Sequence, residues 1–280
     1  QRGGLWGQAF PPSYQDDFTP HDAVADVQRF EAMESDETPY VHVTRAKGSS
    51  NRHIRLALYR FEPANLSDIL PYMANLGAEV VDERPYHLEL ADGTSRYIYD
   101  FGLEFSQDVS ESDFERIEDA FKAGWQGKRE HGRMDKLIVA GLTWQDVALL
   151  RGFSHYLRQS GFSLSEKNMG DVYSSHPEIS RLLVELFTAK FDPDFAQDRE
   201  SAVAEKTEEI YEALAQVTSL DADRILRATA EVIAATVRTN VFQRDENGDP
   251  RPANVFKIKP ELLEFSPKPR PALEMFVYSP

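Results

Sequence analysis

Cysteine is absent from the chain. Disulfides, thiolate nucleophiles and cysteine-ligated metal sites are therefore excluded, and a reducing, cytoplasmic setting is the natural expectation. No apolar run approaches the length of a bilayer span, and the chain does not open on a basic-then-apolar pattern, so no membrane partner is expected. Positive charge is in deficit: 31 Lys and Arg stand against 47 Asp and Glu, a net charge of -16. A surface of that sign repels phosphate backbones, and no basic stripe offsets it, so no nucleic-acid partner is expected. Neither phosphate-cradling glycine loop, G-x-G-x-x-G or G-x-x-x-x-G-K-[ST], occurs. The seven histidines are scattered, with no pair at metal-ligand spacing on a helix, so no metal site is expected.

What is present is globular. The chain is 280 residues long, 41% hydrophobic and 28% charged, enough for about two domains. Residues 1–19 are rich in Gly and Pro and read as a leader, in which Leu5, Trp6 and Phe10 have no evident element around them. "TPHDAVADVQRFEAM" reads as a helix with Thr19 as N-cap and Pro20 at the first helical position. "HIRLALYRF" alternates as a strand. "LSDILPYMANLG" is a short helix that Ser67 can cap and Gly77 can stop. "AEVVDERPYHLEL" is a second strand, with Pro85 marking a bulge or an edge. Asp92-Gly93 makes a hairpin turn. "SRYIYDFGLEF" is a third strand, carrying Tyr97, Tyr99, Phe101, Leu103 and Phe105 on one face. A helix follows from Ser110. The order is βαββα.

From about residue 130 the pattern is helical. Thr143 and Asp146 form a variant capping box for a helix stopped by Gly161, and Ser175 with Glu178 reads as the box of the next. Two long helices follow, joined at "TSL". The second continues through "VRTN". Two strands, "NVFKI" and "LEMFVYS", close the chain. In the last, Leu273, Met275 and Val277 alternate and want one buried face, with "NVFKI" as an available hairpin partner.

Fragments of reactive motifs resolve into bland ones. "DENGD", Asp245 to Asp249, has its glycine in the wrong place for a calcium loop and reads as a polar turn. Ser154 in "GFSHY" lacks the second glycine and the preceding strand of a nucleophile elbow. Ser174, Ser175 and His176 lie side by side at a helix start, where capping accounts for them. Asp100 to Gly102 spell D-F-G without the loop and lysine that a kinase needs.

The blocks "WGQAFPPSY", "ILPYMANLGAEVVDERPY", "YIYDFGLEF", "DFERIEDAFKAGWQGKRE", "LIVAGLTWQDVALLRGFSHYLRQSGF", "HPEISRLLVELFTAKFDP", "VRTNVFQ" and "PALEMFVYSP" follow one another in order. Together they resemble the large bacterial NAD-dependent glutamate dehydrogenases over nearly the whole chain. The resemblance implies a parent enzyme that oxidises L-glutamate with NAD as its cofactor. It also implies that this chain is an internal, non-catalytic regulatory and scaffolding segment, cut at both ends and lying just upstream of the catalytic domain. No family catalytic residue maps onto it and no cofactor is expected within it. Its closing strands would join the first sheet of that domain. Partners so implied are the remainder of the same polypeptide and further copies in a homo-oligomer.

Residues 52–108 resemble an ACT module, a ferredoxin-like sandwich that often senses amino acids. The first strand-to-helix turn of such modules commonly carries a Pro-Gly pair. Here Pro63 is followed by Ala64 and Asn65, whose side chains obstruct close approach to the backbone. Packing or assembly is the expected role. The alternative is an amino-acid effector site built from Pro63, Asn65 and Ser67. The expected fold is α+β: a leader and helix at 1–40, an ACT-like domain at 41–130, a mainly helical bundle at 131–243, and a loop with terminal strands at 244–280.

Overall fold

A computed structural model describes residues 2–45, 48–162, 164–246 and 248–279. Asn247 of the "DENGD" turn and Pro280 of the closing stretch lie outside the described residues. The chain divides into two compact units, residues 1–131 and 132–280.

Unit 1 contains α1 (Arg2–Trp6), α2 (Pro12–Asp17), α3 (Pro20–Ala32), β1 (Tyr40–Thr44), β2 (His53–Arg60), α4 (Leu66–Asn75), β3 (Ala78–Glu89), β4 (Ser95–Phe105) and α5 (Phe114–Trp125). Its four strands form an antiparallel sheet in the order β1-β2-β4-β3. The expected βαββα core is there, and β1 adds an edge strand beside β2 from the N-terminal side. One face carries Ile54, Leu56, Leu58, Phe101 and Leu103, all buried, with Ile69 and Met73 of α4 and Ile117 and Phe121 of α5 buried in the same unit. Alternation in the strands and a helical stripe in α4 and α5 are what this layer requires. The bulge in β3 falls between Val80 and Asp82 rather than at Pro85, which sits on this edge strand.

The stretch read as a leader contains α1 and α2, whose Trp6 and Tyr14 are buried with Phe30 of α3 against Tyr59, Tyr86, Leu88 and Ile98 on the second face of the sheet. Thr19 caps α3 as expected, in a capping box with Asp22: the Thr19 N–H donates to Asp22 Oδ2 at 2.9 Å.

Gly77 ends α4 at φ +86°. A side chain branched at Cβ is strained there, so Gly77→Val should cost about 1–3 kcal/mol in chemical denaturation. An unchanged midpoint would show that this turn tolerates the left-handed conformation without glycine.

Unit 2 contains α6 (Lys136–Val139), α7 (Trp144–Gln159), α8 (Glu166–Ser175), α9 (Pro177–Phe191), α10 (Arg199–Leu214), α11 (Leu220–Ala235), β5 (Thr236–Thr239), β6 (Asn254–Ile258) and β7 (Glu274–Tyr278). The box at Thr143 and Asp146 caps α7, and Gly161 follows it at φ +102°. Ser175 does not cap α9. It is the last residue of α8, an additional helix, and His176 holds the N-cap position. "VRTN" does not continue α11, which stops at Ala235. Thr236 turns the chain directly into β5 of a three-stranded antiparallel sheet, β5-β6-β7.

The carbonyls of the last turn of α11 are all engaged. Thr236 Oγ1 donates to Val232 O, Lys190 Nζ to Ile233 O and Ala234 O, and the Lys259 N–H to Ala235 O. Burial pushes the Lys190 ammonium below its ordinary pKa.

β7 pairs with β6 as a hairpin would, but its buried side is the opposite of the expected one. Phe276 and Tyr278 face the helices, while Leu273, Met275 and Val277 are 46%, 68% and 57% exposed. The reason is shape. The inner face meets Phe153, Tyr156 and Phe187 of α7 and α9, and aromatic rings fill that layer: Phe276 lies 5.4 Å from Tyr156 and Phe256 lies 5.0 Å from Phe153.

Candidate functional site

The turn between β2 and α4 brings Pro63, Asn65 and Ser67 together, all three exposed. Three of its backbone donors are already used. Asp36, from the loop after α3, accepts the N–H groups of Phe61 at 2.6 Å and Glu62 at 2.7 Å. The Ala64 N–H donates to the Tyr99 hydroxyl at 2.9 Å. Ser67 does not cap α4. Asn65 occupies the N-cap position, without a side-chain cap bond. The side chains of Asn65 and Ser67 both turn to Asp68, at 3.3 and 3.4 Å. A carboxylate ligand approaching here would meet the like charge of Asp68.

Beside this turn is an open recess of about 600 Å³ lined by Asp36, Glu37, Thr38, Arg60, Trp125 and Gln126. The Arg60 guanidinium stacks 4.8 Å from the Trp125 ring and binds Asp36 at 3.1 Å, and Gln126 donates to Thr38 at 2.9 Å. Arg60 Nε is buried there without a hydrogen-bond partner. Asp36 was not legible as a holder of this turn, because nothing in "ESDETP" separates it from a solvated loop acid.

The second face of the sheet carries the strongest polar arrangement of unit 1. Asp26 of α3 is 5% exposed and accepts hydroxyl protons from Tyr14 and Tyr59, each at 2.6 Å, with Arg29 as its ion partner. The sequence held a signal: Asp26 lies within the stripe of Ala23, Val27 and Phe30, where a solvated acid does not belong. Asp17 of α2 accepts from Tyr86 at 2.6 Å and pairs with Arg84 at 3.1 Å.

On the same face Arg55 bridges Asp100 and Asp82, each at 2.9 Å. Burial pushes the Asp100 carboxyl up against the pull of Arg55, while the Arg55 hydrogen bond holds Asp82 below its ordinary range. Gly102 leaves room for this bridge: a Cβ there would lie 2.3 Å from Asp82 Oδ2, so the Asp82 carboxylate would have to shift.

Burial, then the bonds to carboxylates, raise the Tyr14 and Tyr86 phenols above their ordinary value of 10.0, and burial and the Asp26 charge do the same for Tyr59. Folding therefore favours the neutral phenols. The stability they contribute is complete below pH 10 and is lost as pH climbs from there toward the folded values. Unit 1 should unfold cooperatively in alkali, with phenolate absorbance and loss of helix rising together. Reversible ionisation of these tyrosines near their ordinary value, with helix intact, would contradict the arrangement.

In unit 2 a second recess, of about 610 Å³, is lined by His155, Arg158, Gln159, Phe162, Leu164 and Ser165. Arg158 is paired with Glu166 at 3.5 Å. Deeper in the unit Arg151 and Asp135, 4% and 0% exposed, pair at 3.2 Å. Asp135 also accepts the Gly132 N–H at 3.2 Å. Such a buried pair organises packing and offers no group to a substrate.

Among the described residues no strand–turn–helix presents glycine backbone N–H groups to a pyrophosphate. In unit 1 neither the turn from β2 to α4 nor the loop from β4 to α5 contains a glycine, and β5, β6 and β7 are antiparallel. The residues present do not fit a dinucleotide.

An ACT-type α+β module is thus followed in sequence by a helical segment and a small sheet. The comparisons agree in order along the chain. Residues 4–33 match helical motif 2 of glutamate dehydrogenase, 39–117 its ACT3 domain and 130–193 its helical motif 3. Residues 209–280 match the bacterial NAD-glutamate dehydrogenase catalytic domain. The catalytic domain was expected to lie beyond residue 280, but this match begins at residue 209 and takes in part of α10, α11 and the three-stranded sheet.

The NAD-specific glutamate dehydrogenase of Halomonas elongata is 37% identical over 278 residues, 97% of this chain and 17% of that protein. Those of Pseudomonas aeruginosa and Mycobacterium tuberculosis are each 34% identical, over 98% of this chain and 17% and 18% of their own lengths. The chain belongs to the family of NAD-specific glutamate dehydrogenases, and spans about a sixth of the length of these relatives.

Proposed function

We propose that this chain is a regulatory and scaffolding segment of a larger cytoplasmic polypeptide. That polypeptide converts L-glutamate, NAD⁺ and water to 2-oxoglutarate, ammonium, NADH and a proton. The observation that carries the reading is the ordered series of four glutamate dehydrogenase matches from residue 4 to residue 280. The engagement of the Asn65 and Ser67 side chains by the Asp68 carboxylate supports scaffolding over amino-acid sensing. The partners in this reading are the remainder of the same polypeptide and further copies of the enzyme. NAD, in this reading, is the cofactor of the larger polypeptide, and residues 1–280 contribute no cofactor site.

Calorimetric titration of residues 1–280 with NAD should show no saturable heat, and incubation with glutamate and NAD should yield no NADH. Binding or turnover by this chain would refute its non-catalytic role. A melting temperature raised by a single amino acid would favour the effector alternative, and Asn65→Ala should then abolish the shift.

A further inference from the structure

We propose that α1–α3 and the four-stranded sheet form one cooperative body, so that the stretch matching helical motif 2 and the stretch matching ACT3 move together. The inference goes beyond the scaffolding role and rests on the packing within unit 1. α1, α2 and α3 have 5, 6 and 13 residues, and helices this short are not stable alone in water. Their stability comes from the sheet. Trp6, Tyr14 and Phe30, one from each helix, pack into a single buried cluster with Tyr59, Tyr86, Leu88 and Ile98 from three strands.

Two carboxylates tie the layers at separate points. Asp26 reaches Tyr59 on β2, and Asp17 reaches Tyr86 and Arg84 on β3. These tethers straddle β4, which lies between those strands. A third tie is backbone: the Ala91 N–H, just past β3, donates to Leu5 O at 3.2 Å.

Lifting the helices would expose the apolar half of a sheet face and strip Asp26 of the Tyr59 hydroxyl. Burial and bonding of that kind make a shared opening easier than a separate one. A displacement applied to the helical stretch is therefore delivered to the sheet as a whole.

The test is hydrogen–deuterium exchange on residues 1–280, followed by peptide with increasing denaturant. In the wild type, α3, β2 and β4 should open with the same denaturant dependence. Tyr59→Phe keeps the ring and removes the bond to Asp26. It should speed exchange in α3 and in β2 and β4 alike, by roughly five- to thirtyfold, the factor that 1–2 kcal/mol represents. Asp17→Asn should act in the same direction on both layers. Faster exchange in α1–α3 alone, with the strands unchanged, would mean a detachable clamp and overturn the proposal. No change in either layer would overturn the role given to the tethers.

Discussion

Asp135→Ala should lower the stability of unit 2 by about 3–5 kcal/mol, the range for removing one partner of a buried ion pair. Arg151 would be left 4% exposed beside a vacated position, and the Gly132 N–H would lose its acceptor. Glu166, 3.7 Å from the other end of the guanidinium and half-exposed, can take over only part of the charge. The measurement is the urea midpoint at constant slope, read from a signal of unit 2 such as Trp144 fluorescence. A loss below about 1 kcal/mol would mean that Glu166 alone suffices. Replacing both partners by apolar residues of similar volume should be milder than the single change, because no charge is then stranded.

Phe256→Ala should be of comparable size, about 3–5 kcal/mol. Phe256 is wholly buried at the centre of β6. Its ring lies 5.0 Å from Phe153, 6.1 Å from Phe187 and 6.2 Å from Phe276. Truncation opens a cavity where the sheet meets α7 and α9, and neighbouring rings cannot collapse into it without leaving their own contacts. Thermal unfolding should show the loss, and exchange at residues 254–258 and 274–278 should rise with it. Unchanged exchange there would show that hairpin hydrogen bonding alone holds the sheet.

Local chemistry was readable at several helix ends and turns: Thr19, Thr143 with Asp146, Gly77, Gly161 and Asp92-Gly93 act as their residue types require, whereas Ser67 and Ser175, equally good capping residues, sit one residue inside α4 and at the end of α8. Elements that depend on distant partners were not readable in this way. β1 is five residues whose only strong marks are Val41 and Val43, and its place beside β2 is a tertiary matter. α8 buries Met169 and Tyr173 at helical spacing but has Gly170 between them and a polar remainder. "VRTN" reads as helix because Val237 extends the stripe of α11. Only the pairing with β6 makes it a strand.

The two faces of β7 are both apolar, so alternation alone could not choose between them. The aromatic surface of α7 and α9 did. At the turn after β2 the sequence located Pro63, Asn65 and Ser67 as neighbours, while Asp36, which holds that turn from 25 residues away, carried no local mark.

The junction between α11 and β5 has a mechanical meaning. A helix normally gives way to a strand through a few residues that can swivel. Here there are none, and each carbonyl that could loosen the last turn is gripped by Thr236, Lys190 or Lys259. The helix and the strand therefore act as one stiff crank. A load on β5 is transmitted as torque along α11, and the Lys190 ammonium is the pin that keeps the crank from folding at its elbow.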